Sequence, residues 1–321
     1  MTKLKPGQRF ASAAFAVLLA LVGPVTASAA EKVRFAYLKT VSLLPFFYAT
    51  QQGYFTAEGI DMDLIAVPGG PAVGAAIASG SADIGYAAPP PVMIAREQGQ
   101  PFRFFMALEY EKTPERLWGY IVASKKSGIQ TLKEAVGKSV ALGPPGGLCE
   151  LGMRDWLAKA GVAYKDIKPL NNPFPQMPAM LEIGTADIAC IADPFASAAL
   201  NAKSPAKLLD RGYLAAYPQT YRIEGLFANE TWITAHPKEI AGIKKGFIRA
   251  ASELKSNVPL VKKLLVDEYK LPPSLIDDKM LDRILEIEPV ASEFQPLADK
   301  MYSYGMLSKP LKAEDIIATA K

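Results

Sequence analysis

Beyond residue 30 the apolar positions fall into two alternating rhythms. Short apolar runs stand at 33–38, 61–67, 83–87 and 102–108, the length and character of strands buried on both faces. Between them lie segments with helical spacing. One opens at Leu44-Pro45-Phe46 and runs to about Gly53, a second follows Gly69-Gly70-Pro71 to Ser79, and a third covers 91–98. Proline in the first turn and glycine past the last fit the usual asymmetry of helix ends. The alternation restarts at 139–142 with a strand, then a helix over 147–160, a strand over 167–170, a helix over 176–182 and a strand over 187–191. From about Arg222 the chain reads chiefly helical, over 237–255, 259–269, 273–286 and 292–304. Strands alternating with helices predict mostly parallel sheets with right-handed crossovers.

One segment occurs twice. Gly80-Ser81-Ala82-Asp83-Ile84 returns as Gly184-Thr185-Ala186-Asp187-Ile188, each after a helical pattern and each leading through an apolar run to proline. Two similar α/β units are therefore expected, and two such lobes facing each other enclose a small molecule naturally. Lobe one is expected to hold residues 30–122 and 222–321, and lobe two residues 123–221. The crossings fall near 121–125 and 211–223, and two strands side by side there make a hinge.

The first residues change the picture. Lys3, Lys5 and Arg9 precede an apolar run over 11–22, and Ala27-Ser28-Ala29 supplies a small-x-small site. This is the three-part secretory signal, with cleavage expected after residue 29. The run is short of the ~20 residues that span a bilayer. No cysteine for a lipid anchor and no arginine pair for the twin-arginine route stands there. The mature chain is expected in the periplasm. Removing the three basic residues takes Lys+Arg from 36 to 33 against 32 acids, so the net charge falls from +4 to about +1. A near-neutral surface gives no footprint for nucleic acid, and half the residues being hydrophobic is enough for two cores.

Cys149 and Cys190 are the only cysteines. Export permits a disulfide, but the favoured reading is two reduced, buried thiols acting as small hydrophobes. His236, the only histidine, precedes Pro237 at a helix start and reads as structural. The segment 143–147 is neither a phosphate-binding loop nor a dinucleotide fingerprint. There is no zinc-type Cys/His spacing and no Gly-x-Ser-x-Gly elbow. No cofactor, metal or catalytic residue is expected.

In open α/β sheets ligands bind beyond the carboxyl ends of the strands, where helix N-termini gather. In lobe one that position takes in Ser42, Leu44, Phe46, Gly69, Gly70, Ala88, Pro89 and Tyr110. In lobe two it takes in Gly146, Gly147, Leu148, Asn172, Asp193 and Phe195. Helix starts at Pro45, Pro71, Pro91 and Gly147 aim N–H groups at the same space, each favouring an anion by ~0.3–1 kcal/mol when exposed. Ser42 reads as a hydroxyl donor or as a local cap. Tyr86 and Trp118 are further aromatics able to wall a cleft. Asp193 has two readings, a partner for a ligand amine or for Arg154. Asp83 and Asp187 sit at the opposite strand ends and read as fold markers.

Leu44-Pro45-Phe46, Gln52-Gly53-Tyr54-Phe55, Glu58-Gly59-Ile60 and Gly80 to Asp83 occur in an order that resembles a known family. Gly128-Ile129 to Leu132, Gly137-Lys138-Ser139-Val140, Gly184 to Asp187, Asp193-Pro194-Phe195 and Gly225 to Asn229 continue it. The family is the periplasmic solute-binding proteins of nitrate/taurine/sulfonate-type ABC importers, with relatives that bind thiamine-precursor pyrimidines. The resemblance implies a type II two-lobe periplasmic-binding-protein fold, acting as a monomer that closes on its ligand and docks on a membrane permease with its ATPase. It implies a small organic or sulfur/nitrogen oxyanion (sulfonate, sulfate ester, nitrate or aromatic carboxylate), with a neutral heteroaromatic as the alternative and an enzyme or a receptor-linked sensor on the same fold as further ones. Sulfonate binders commonly show Gly-Ser or Gly-Thr at the lobe-two helix start; here Gly146-Gly147-Leu148-Cys149 stands there.

Overall fold

The structure is a computed structural model that describes residues 30–111, 117–203, 205–215, 220–273, 276 and 287–318. The export signal and most of the helix expected over 273–286 lie outside the described residues. No described helix is long and apolar enough to cross a membrane.

Lobe one begins with β1 (Glu31–Tyr37), α1 (Leu44–Gln51), α2 (Tyr54–Ala57) and β2 (Ile60–Ala66). It continues through α3 (Gly70–Ala78), β3 (Ile84–Ala87), α4 (Pro89–Glu97), β4 (Phe102–Ala107) and β5 (Tyr110–Glu111). Lobe two holds β6 (Tyr120–Ala123), β7 (Ser139–Ala141), α5 (Leu148–Ala160), β8 (Lys168–Leu170), α6 (Met177–Ile183), β9 (Ile188–Ile191), α7 (Phe195–Leu200) and β10 (Lys207–Arg211). The chain returns through β11 (Tyr221–Arg222) and β12 (Gly225–Asn229) to α8 (Glu230–Ala235), α9 (Pro237–Ser256), α10 (Val258–Tyr269) and α11 (Ala291–Ser303).

Each lobe is built on a five-stranded sheet, ordered β2-β1-β3-β12-β4 in the first and β10-β6-β9-β7-β8 in the second. β1, β2 and β3 run parallel, as do β7, β8 and β9. One antiparallel strand enters each sheet beside its parallel core, β12 against β3 and β6 against β9. Every residue of β3, β6 and β9 is buried, because helices cover both faces of such a sheet. That burial is what wrote the continuous apolar runs.

The repeated motif does the same job twice. Asp83 accepts hydrogen bonds from the Arg34 backbone N–H at 2.8 Å and from its guanidinium at 3.0 and 2.6 Å. Asp187 accepts from the Ser139 N–H at 2.9 Å and from its hydroxyl at 2.8 Å. Each carboxylate pins the amino end of one central strand to its parallel neighbour. Both are fold markers.

One expectation gains detail and one is corrected. Residues 121–123 of the expected crossing belong to β6, which pairs with β9 through Ile121↔Cys190 and with β10 on its other side. A short apolar run carries no period, so nothing in it says which sheet it joins. The correction concerns the cysteines. Cys149 and Cys190 form a disulfide with their Cα atoms 5.5 Å apart, within the usual spacing. The first turn of α5 packs on β9 and brings the two thiols together.

The crossings meet in a two-stranded sheet in which Tyr110 faces Arg222 and Glu111 faces Tyr221. Glu111 is fully buried and accepts from four donors. These are the Trp118, Gly119 and Tyr213 N–H groups at 2.7, 3.0 and 2.8 Å, and the Tyr221 hydroxyl.

Candidate functional site

The carboxyl ends of the two sheets face each other across a cleft. A cavity of about 70 Å³ there is lined from both lobes. Lobe one supplies Leu38, Thr40, Gly69, Gly70, Tyr86 and Ala88, and lobe two supplies Leu142, Pro144, Gly147, Leu148, Cys149 and Phe174. Tyr213 and Glu224, from the return crossing, line its inner end. A smaller space of about 30 Å³ adjoins it, sharing Thr40, Ala192, Tyr213 and Glu224 and adding Ser42, Trp118 and Asp193. Larger cavities of about 170 and 680 Å³ lie elsewhere on lobe one. Each is lined by that lobe alone, so neither is enclosed by closure.

The lobes touch. A Cβ placed on Gly69 would lie 2.6 Å from Pro144 Cγ, and one on Gly146 would lie 2.7 Å from Ile94 Cδ1. Gly69 has extended backbone that any residue adopts, so glycine is there for the approach of lobe two. Gly69→Ala should therefore cost about 1–3 kcal/mol in the closed form alone. Ligand affinity is expected to fall about tenfold while the ligand-free melting temperature stays unchanged; calorimetry and melting curves check it.

Hydroxyls dominate the polar lining. Tyr86 is buried, and its OH shares a 2.6 Å hydrogen bond with Thr40 Oγ1. Burial, then the charge of Glu224, raises the Tyr86 phenol well above its ordinary pKa. Burial first, and Glu224 next, does the same to Tyr213. Both therefore stay protonated at neutral pH. Among the described residues no lysine, arginine or histidine lines either cavity. The nearby cations are engaged: Arg222 with Glu293 at 2.5 Å, and Arg211 with the Tyr120 hydroxyl at 2.9 Å.

Gly69, Gly70, Ala88, Gly147 and Leu148 line the main cavity, and Ser42 and Asp193 the smaller one. Gly146 stands at the interlobe contact. Asp193 accepts from Tyr120 at 3.0 Å and from the Ser197 hydroxyl and N–H at 2.6 and 3.0 Å. Arg154 pairs instead with Glu150 at 2.7 Å, so that reading of Asp193 is withdrawn.

Besides Gly146, six candidates fall outside the two cleft cavities. Phe46 is fully buried, with ring centroids 4.3 Å from Phe35 and 4.7 Å from Phe55. Leu44 is buried against α10. The helix start is where the sequence put it, but its large residues turn inward. Pro89 is buried as the first residue of α4. Tyr110 sits in the crossing sheet, its ring under the Arg222 guanidinium at 5.4 Å. Asn172 donates to Gln176 at 2.9 Å, and Phe195 lies behind Phe174, 6.4 Å between centroids. Conversely, Tyr213 and Glu224 line the cleft unforeseen; a crossing segment has no periodicity to mark them.

Two α/β lobes with opposed strand ends and a paired crossing define a two-lobe periplasmic-binding-protein fold. The sequence profile of the NMT1/THI5-like family matches residues 40–257, and the chain belongs to that family. Solved structures agree on the fold. The alkanesulfonate-binding protein SsuA of Xanthomonas axonopodis pv. citri, bound to MOPS, is 22% identical with a TM-score of 0.76, covering 90% of this chain and 98% of its own. The periplasmic aliphatic sulphonate binding protein SsuA of Escherichia coli is 22% identical with a TM-score of 0.71, covering 91% and 93%. The periplasmic nitrate-binding protein NrtA of Synechocystis PCC 6803 is 14% identical with a TM-score of 0.69, covering 88% and 84%. No curated protein sequence matches the chain.

Proposed function

We propose that the chain is the solute-binding component of an ABC importer, exported to the periplasm as a monomer. It captures a small organic ligand by lobe closure, without chemistry, and presents the closed form to a permease and its ATPase. The observation that carries this reading is a cleft lined by equivalent strand ends and helix starts of both lobes, with glycine at their contact. Family membership and the binding proteins among its structural neighbours support it.

The oxyanion class draws support from the N-termini of α3 and α5, which border the cavity, and from the sulfonate and nitrate binders of the same fold. The residues of the cleft weigh the other way. Two exposed helix termini favour an anion by ~2 kcal/mol together at most. Glu224 lines both cavities. Glu150, in the first turn of α5, already takes the Gly146 N–H at 2.8 Å. The oxyanion remains the leading class, with a neutral heteroaromatic as the alternative.

The test uses mature protein unfolded and refolded to strip bound solute. A thermal-shift panel of sulfonates, nitrate, aromatic carboxylates and heteroaromatics should give a hit, stabilising by about 2.7 kcal/mol at 100 times its Kd. Small-angle scattering with that hit should show a smaller particle. Identical curves with and without saturating ligand would remove lobe closure from the reading.

A further inference from the structure

The lobes also meet away from the cleft. α5, in lobe two, carries Leu148 and Cys149 to the cavity with its first turn. Asp155 follows Leu148 by seven residues, two turns on and on the same side of the helix. It is buried, 4% exposed, and accepts from three donors outside its own helix. Two stand at the end of α11, the Lys300 ammonium at 2.5 Å and the Tyr304 hydroxyl at 2.7 Å. The third is the Ala215 N–H at 2.8 Å, in the return crossing. α11 belongs to lobe one, where Phe294 packs on Phe104 of β4 with 5.2 Å between centroids. Lys300 and Tyr304 are four residues apart, so both reach out from one face. Burial first, then the hydrogen bond to Asp155, raises the Tyr304 phenol pKa, which keeps it a donor at neutral pH.

We propose that Asp155, with Lys300 and Tyr304, forms an interlobe latch, made on closure and broken on opening, that sets the closed population of the ligand-free protein. α5 is a rigid element about 20 Å long. The motion that parts Pro144 from Gly69 and Gly146 from Ile94 therefore carries Asp155 away from α11. Hydrogen bonds of this length end once their partners part by about 1 Å. Closure takes Asp155 out of water, and the salt bridge to Lys300 is what compensates that loss. Without the lysine, closure buries a carboxylate that lacks its cation, which is strongly unfavourable. Asp155 lines neither cleft cavity; it is a positioning residue that acts on the cleft through α5. The inference goes beyond the importer reading and rests on it for lobe closure alone.

A thiol pair across the cleft reports closure without any ligand. A Cβ placed on Gly69 would lie 3.7 Å from Pro144 Cβ, the spacing that a disulfide spans. Gly69→Cys with Pro144→Cys is made in the mature protein, stripped by refolding and equilibrated with reduced and oxidised glutathione. Peptide mapping separates the introduced bond from Cys149–Cys190, and the effective concentration of the introduced thiols rises and falls with the closed population. Lys300→Met, which keeps the stem and removes the charge, should lower that concentration at least about tenfold. Tyr304→Phe should lower it about threefold and carries the test if the first variant does not fold. With Asp155→Asn already in place, Lys300→Met should change it less than about twofold, because the pair is already broken. A concentration unchanged in Lys300→Met and Tyr304→Phe, with only the melting temperature lowered, would make the contact a fixed part of the fold and overturn the latch. That outcome leaves lobe closure standing. An introduced bond that fails to form even with Asp155, Lys300 and Tyr304 intact removes closure from the importer reading, and the latch with it.

Discussion

Reduction of the Cys149–Cys190 disulfide should destabilise the chain by about 4 kcal/mol. The bridge closes a loop with a sequence separation of 41, and the entropy that such a loop withholds from the unfolded chain is worth ~4 kcal/mol at 25 °C. In a chain of this size each kcal/mol moves the melting temperature by about 2–4 °C, so the reduced form should melt on the order of 10 °C lower. The double variant Cys149→Ala, Cys190→Ala should behave like the reduced protein. Cys149 also lines the cleft, one residue after Leu148. Losing the bridge frees the first turn of α5 from β9, and ligand affinity should fall with stability. Melting curves with and without reductant check the first effect, and alkylation of the native, unreduced protein checks the bond itself. Both thiols labelling without reductant, or coincident melts, would overturn it.

The pairing also shows where reading a sequence stops. Position along the chain put Cys149 at a helix start and Cys190 on a central strand, both correctly, yet nothing in either local pattern says that the helix lies over that strand. The repeat around Asp83 and Asp187 was legible because it is written twice with the same spacing and meets the same backbone need each time. The cleft was legible as a position, beyond the carboxyl ends of the strands, and Gly69, Gly70, Ala88, Gly147 and Leu148 follow from that position alone. Side-chain direction was not. Phe46 stands next to the cleft in sequence, but the rotation of α1 turns it onto Phe35 and Phe55. Tyr213 and Glu224 lie in the return crossing, where no rhythm separates a wall from a connection. Tyr120–Ala123 reads as apolar and buried whichever sheet it joins.

Glu111→Ala should be the most damaging single substitution in the crossing, costing more than about 4 kcal/mol and preventing folding at 37 °C. The carboxylate takes four buried donors, Trp118 and Gly119 N–H on one oxygen and Tyr213 N–H and Tyr221 OH on the other. Each donor left without an acceptor in the interior costs ~1–3 kcal/mol, against a total stability of ~5–15 kcal/mol. Glu111→Gln separates the contributions. Its carbonyl oxygen can keep Trp118 and Gly119, and Tyr221 can turn its hydroxyl to accept from the amide, leaving the Tyr213 N–H opposed and the Tyr221 proton without its former acceptor. That variant should fold and lose about 1–3 kcal/mol. Burial raises the Glu111 pKa above the ordinary glutamate value, even though the hydrogen bonds from Tyr221 and the three N–H groups pull it down. A carboxyl with a raised folded pKa gives its share of stability below the unfolded pKa and loses it as pH rises through the folded one. Glutamine has no such step. The stability gap between wild type and Glu111→Gln should therefore narrow as pH rises through and above the ordinary glutamate range, measured by denaturant melts at several pH values. A gap that widens would mean that the carboxylate, not the acid, is the form the crossing is built to hold.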